Sequence, residues 1–158
     1  MAAAGKWKMY EQAKLDLANG LIDFDNDSFV IGLYLSTSNC DTLSGTTTFA
    51  TLTNQVATAF GYTQVDGAGA GKAVTITTAN AAGTITIDET TNPVWTAAGG
   101  SITARFAVIF DDTHASNQAV FVCLLDTAPL DVTATDGNTF TITMNASGLV
   151  TISGAAID

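Results

Sequence analysis

Apolar residues recur along this chain at two different periods. Near its start Tyr10, Ala13, Leu17 and Leu21 follow a helical stripe, which predicts an amphipathic helix over residues 8–19. Asn19-Gly20 supplies the stop, with Gly20 as the left-handed residue beyond the last turn. Residues 28–36 are apolar on both faces of an extended chain, which predicts a central strand or one lying under the helix. Phe49, Leu52, Val56 and Phe60 return to helical spacing and predict a short second helix. From residue 73 onward the pattern is that of strands: 73–78 and 84–88 about an Asn-Ala-Ala-Gly turn, a long alternating run over 102–110, then 119–125. The last two, 139–144 and 149–153, flank the hairpin-like loop Asn145-Ala-Ser-Gly148.

Short strands with turn signals between them predict a mainly β fold. The expected architecture is an antiparallel β-sandwich, jelly-roll-like, with an N-terminal α-helix and a glycine-rich loop or arm. All 158 residues form one domain: a tail and helix over 1–22, then a β body over 23–158 with the arm at 61–72. No fixed-period repeat breaks it into smaller units.

Composition sharpens the picture of the surface. Charged residues are 13% of the chain, about half the ~25% usual for globular domains. Threonine occurs 26 times, mostly in the strand-forming stretches, so hydroxyls do much of the work that charges usually do. A surface poor in charge loses little hydration when a neighbour covers it. The balance of 5 Lys plus Arg against 15 Asp plus Glu, a net charge of −10, argues against nucleic acid or an anionic membrane as the main partner. No run approaches ~18 apolar residues, and the first twenty lack the apolar stretch of a secretion signal. Cys40 and Cys123 are then expected as free thiols, Cys123 buried in an apolar strand and Cys40 in an accessible loop.

Several segments resemble pieces of catalytic or ligand sites, and each fails a requirement. Asp23, Asp25 and Asp27 have the alternation of a calcium loop, yet Ser28 stands where the turn glycine belongs and Tyr34 where the bidentate Glu belongs. Asp111, Asp112 and His114 could form a metal site or an acid–base pair. They lack a nucleophile turn, and a polar loop tip accounts for them. The run from Gly67 to Lys72 lacks the Ser/Thr and the following helix of a phosphate loop. The chain is therefore read as a non-enzyme, with no cofactor and no resident metal.

The basic residues are more informative. Lys6, Lys8 and Lys14 are three of the five and lie beside Trp7 and Tyr10, a small cationic and aromatic foot on an acidic protein. A docking role would use Trp7 as anchor and the lysines for register. Arg105, the single arginine, lies within an apolar run and is expected to pair with a carboxylate of a neighbouring strand or subunit.

Taken in order, Tyr10-x-x-Ala13-Lys14, Asn19-Gly20-x-Ile22-Asp23-x-Asp25-x-Asp27, Gly61-Tyr62-Thr63, Trp95, the segment Ala104–Phe110 and Phe140-Thr141-Ile142 resemble a family of small virion structural proteins of tailed bacteriophages. The resemblance implies a virion component and carries no catalytic residue across. The expected function is a capsid cement or decoration protein that binds the major capsid protein, forms a homo-oligomer (a trimer sooner than a dimer) and resides on the phage head. The alternative is a tail, baseplate or fibre component. The residues expected to carry contacts are Lys6, Trp7, Lys8, Tyr10, Tyr62, Lys72 and Arg105.

Overall fold

The computed structural model describes residues 5–45, 47–67, 70–128 and 130–153. It is mainly β, an antiparallel sandwich with one N-terminal helix, as the strand periodicity predicts. Strand β1 (Lys8–Met9) leads directly into α1 (Glu11–Ala18). Then come β2 (Phe29–Tyr34), a 3-10 turn at Phe49–Thr51, β3 (Lys72–Val74), β4 (Ile76–Ala81), β5 (Thr84–Glu89) and β6 (Val94–Thr96). The chain continues through β7 (Ile102–Ala104), β8 (Phe106–Asp111), β9 (Gln118–Leu124), β10 (Val132–Ala134), β11 (Thr139–Thr141) and β12 (Val150–Ser153).

The principal sheet has the order β1-β9-β8-β2-β3, antiparallel throughout. Strand β2 is an inner strand, between β8 and β3, and every one of its residues is buried, which explains why both of its faces are apolar. Cross-strand partners share a face. Ile31, Leu33, Ala107, Ile109 and Phe121 therefore look one way, and Val30, Gly32, Val108, Phe110 and Val122 the other. Phe24 stacks on the first face, 5.6 Å from Phe29 and 5.9 Å from Phe121 between ring centroids. Phe49 and Tyr34 close on Phe110 of the second, at 6.0 and 6.3 Å. Between Ile109 and Phe110 the register with β9 shifts by one, leaving Val120 as the extra residue of a bulge whose carbonyl accepts the Tyr10 N–H at 3.0 Å. A three-stranded sheet, β12-β5-β4, and two-stranded pairs β10-β7 and β11-β6 complete the body.

Four sequence expectations change. The predicted helix over 8–19 begins only at Glu11, because Lys8 and Met9 extend the principal sheet against Val122 and Phe121. Its stripe also fades along its length: Tyr10 and Ala13 are fully buried, whereas Leu21 is 55% exposed. The Gly20 cap is as expected, with φ of +70°. The second predicted helix does not form beyond the Phe49–Thr51 turn. Asn54 adopts a left-handed φ of +58°, and the chain then runs extended beside β2, with the Val56 N–H donating to the Leu33 carbonyl at 2.9 Å. Phe60 and Gly61, at φ of +55° and +88°, make a tight turn closed by two bonds between Ala59 and Tyr62.

The long strand over 102–110 is divided at Arg105: β7 pairs with β10, while β8 pairs with β2 and β9. The segments on either side of Asn145–Gly148 do not form a hairpin with each other, since β11 pairs with β6 and β12 with β5. A local turn remains there, the Gly148 N–H donating to the Asn145 carbonyl at 2.9 Å. Alternation along a strand reports which residues share a face and carries no information about which strand lies alongside.

Candidate interaction surfaces

The N-terminal foot is built as a strap on the edge of the principal sheet. Gly5 donates to the Leu124 carbonyl at 2.7 Å, and β1 then fixes alternate residues in and out. Trp7 and Met9 point inward and are buried, while Lys6 and Lys8 point out. Lys6 and Lys8 share a groove with Asp41, Leu43 and Phe106. Lys14, on α1, borders a second groove of about 600 Å³ lined by Met9, Leu17, Ala18, Val150 and Ile152. The strap and the helix after it thus present cations at two neighbouring grooves. Lysine along an edge strand also prevents another strand from adding there.

The aromatic residues of the expected contact set lie inside. Trp7 is 6% exposed and Tyr10 fully buried, its hydroxyl donating to the Cys40 carbonyl. Tyr62 is buried as well: its hydroxyl accepts the Leu33 N–H at 2.8 Å and bonds the Gln55 side chain at 3.1 Å. With the Gln55 amide oriented oxygen toward Tyr62, the same side chain clasps both backbone groups of Val65, at 2.8 and 3.0 Å. These three side chains hold the chain's own loops and do not offer a free anchor, because burying a large ring stabilises this fold before any partner arrives.

The other two expected cations are also engaged within the chain. Lys72 places its ammonium 5.6 Å from the centre of the Trp95 ring, itself packed against a tilted Tyr62 and an edge-on Phe140. Arg105 donates from Nε to Asp131 Oδ1 at 2.8 Å, the carboxylate of the residue preceding β10, as the sequence anticipates for a neighbouring strand. That leaves Lys6, Lys8 and Lys14 as the outward cations of the described residues. The glycine-rich arm is only partly open to description, residues 68 and 69 lying outside the described set. Val65 is buried and closes off the Cβ position of Gly71 at 2.8 Å.

The acidic segments are held by their own turns. Asp23 accepts from the Asp25 N–H at 3.0 Å and the Asn26 amide at 2.8 Å, and the Asn26 bond foremost keeps its pKa below the usual carboxylate value. Asp111 is fully buried at the end of β8, with Oδ1 accepting the N–H groups of Thr113 and His114 at 2.9 and 3.0 Å. Its Oδ2 has no hydrogen-bond partner. Burial, reinforced by the nearby Asp27 carboxylate, pushes its pKa up to about 6. The His114 ring takes a different partner, Nδ1 accepting the Ser116 N–H at 3.3 Å. Among the described residues no three His, Cys, Asp or Glu side chains gather in a way that could hold a metal ion.

Cys40 corrects the expectation of an accessible thiol. It is fully buried, as is Cys123, and burial raises the two thiols to about 11 and about 12. Both are free.

The surface that sequence reasoning missed is the outer half of the β12-β5-β4 sheet. Residues 77–81 of β4 are exposed on both faces, and Ile85 and Ile152, paired across β5 and β12, are 41% and 45% exposed. From Ala73 to Ile87 the sequence carries no charged side chain. The signal was present as a charge-free stretch, but only the pairing shows that both its faces leave the body. No helix among the described residues is long and apolar enough to cross a membrane. No family model matches this chain, and no curated protein or solved structure matches it either.

Proposed function

We propose that this protein is a non-catalytic assembly subunit, a bacteriophage virion structural protein that acts as a capsid cement or decoration protein on the major capsid protein. The observation that carries the reading is the placement of charge. A chain of net charge −10 turns Lys72 and Arg105 to internal use and keeps Lys6 and Lys8 outward on the strap and Lys14 outward on the helix that follows it. Opposite charges meeting across an interface steer encounter and fix register. An acidic surface is therefore the partner that this strap recognises, and the apolar groove beside Lys14 supplies area to bury once register is set.

The virion assignment draws on the resemblance of the ordered motifs from Tyr10 to Ile142 to phage structural proteins. A cement protein works by interface burial repeated over many symmetric copies, so no single contact needs to be tight. The direct experiment compares phage capsids with and without the protein. Capsids lacking it melt at lower temperature on this reading and recover on addition of the purified protein. Unchanged melting contradicts cementing, and label confined to one pole of the particle moves the protein to the tail.

A further inference from the structure

Natural sheets protect their open edges with lysine, proline, bulges or a covering segment. The edge at β1 carries Lys6 and Lys8, whereas β4 carries none of these devices. Its six residues, Ile76-Thr-Thr-Ala-Asn-Ala81, are uncharged and free of proline, and they pair with β5 in unbroken register from Ile76↔Glu89 to Ala81↔Thr84. The two-residue turn Ala82-Gly83, at φ of +50° and +79°, makes Ala81 and Thr84 a hydrogen-bonded pair. By alternation the backbone groups of Thr78 and Asn80 then point away from β5, along the open edge.

The faces of this sheet add a second observation. Ile76, Thr78, Asn80, Ile85, Ile87 and Ile152 share one face by register. At the base that face is core, with Ile76 and Ile87 buried; toward the tip Ile85 and Ile152 are bare. A sheet that begins inside a core and ends uncovered on both sides is marginal in water.

We propose that the β4 edge pairs antiparallel with β4 of a second copy of this chain, about a twofold axis at Ala79, giving a six-stranded sheet across the dimer. Antiparallel pairing sets Thr78 opposite Asn80 of the second copy, so the outward backbone groups meet. It also lays the bare tip of one arm beside the base of the other, where the same face is covered. An identical partner suits the edge because no position opposes a like charge, and a partner of strong charge finds nothing there to read. The carboxylate bonded to this edge is Asp25, which accepts from Thr78 Oγ1 at 3.4 Å. Two copies of it approach in the dimer, so added salt tightens the pair. An isologous edge of this kind yields a dimer in place of the trimer expected from the sequence. The proposal stands on the arm alone and does not depend on the shell-binding role of the strap.

Sedimentation of the full chain over a range of concentrations tests it, beside Asn80→Lys, Thr151→Lys and Ala79→Cys. The expected result is a concentration-dependent dimer, abolished by Asn80→Lys and retained by Thr151→Lys on the other edge of the sheet. Ala79→Cys crosslinks to a covalent dimer under mild oxidation, Cα atoms of directly opposed residues lying within disulfide reach. The native thiols do not compete, both being buried. Circular dichroism establishes that each variant keeps the fold. A monomer at every concentration overturns the proposal, as does a dimer that survives Asn80→Lys or that Thr151→Lys removes.

Discussion

The hydroxyl of Tyr62 accepts the backbone N–H of Leu33 at 2.8 Å, across 29 residues of sequence, and so ties the loop that carries it to the inner strand β2 of the principal sheet. Tyr34, on the same strand, has a buried hydroxyl with no partner at all. Burial raises the pKa of both phenols above its usual value, so both stay neutral and act only through hydrogen bonding and packing.

The two tyrosines should therefore respond oppositely to loss of the hydroxyl. Tyr62→Phe leaves the Leu33 N–H unpaired in the core and should cost roughly 1–3 kcal/mol. Tyr34→Phe removes a desolvated group that makes no bond and should be neutral or stabilising. Urea denaturation of the two variants beside the wild type checks the pair, and equal losses would contradict the assignment.

Asp111 sets a pH dependence whose sign follows from its burial. Its folded-state pKa of about 6 lies above the ordinary Asp value of 3.8, so between those limits the folded protein holds a proton that the unfolded chain has released. Its contribution is then full below about pH 4 and is lost as pH rises through about 6. Asp111→Asn keeps an acceptor at Oδ1 for Thr113 and His114 and removes the like charge facing Asp27. The variant should exceed the wild type by on the order of 1–3 kcal/mol at pH 7, with the gap closing toward pH 4. Denaturation midpoints at four pH values check this; a gap independent of pH contradicts it.

Gly61 stands at φ of +88°, and a Cβ there would run into the backbone carbonyl of Thr96. Gly61→Ala combines left-handed strain with a collision against backbone, which has little room to yield, and should cost roughly 2 kcal/mol or more. Gly83, also left-handed at φ of +79°, meets nothing within 4 Å of the same added atom. Gly83→Ala should cost only the strain, about 1 kcal/mol. Thermal melting of both variants separates the collision from the strain, and the order is the test.

The class of fold, the fully buried strand β2 and the glycine cap were legible from periodicity because burial imposes those patterns directly. Strand β2 is apolar on both sides because every one of its residues is buried. The failure at Phe49–Phe60 has a specific cause: helical spacing of four apolar residues is also produced by an irregular segment, and left-handed Asn54 with the Phe60-Gly61 turn prevents a helix. Trp7, Tyr10 and Tyr62 looked like contact residues because an aromatic among polar neighbours reads alike whether it faces solvent or folds back. The lysines beside them were easier to place, since a charge on an edge strand has little alternative to water. The open edge at β4 depends on which strands pair, which single-chain periodicity does not encode.

Charge reversal on the strap should separate docking from folding. Lys6→Glu with Lys8→Glu changes two exposed positions, and melting of the isolated protein should move little, within about 0.5 kcal/mol. Binding to capsids lacking the native protein should weaken by tenfold or more and lose its salt dependence. Unchanged binding, measured by co-sedimentation with the capsids, would remove the strap from the interface.

The central claim, that this chain is a repeated subunit of a phage shell, is tested most directly by its copy number in purified virions, determined by quantitative mass spectrometry against the major capsid protein. The account predicts a copy number in simple proportion to the capsid subunits, as symmetric cementing requires. A handful of copies per particle, or none, would contradict it.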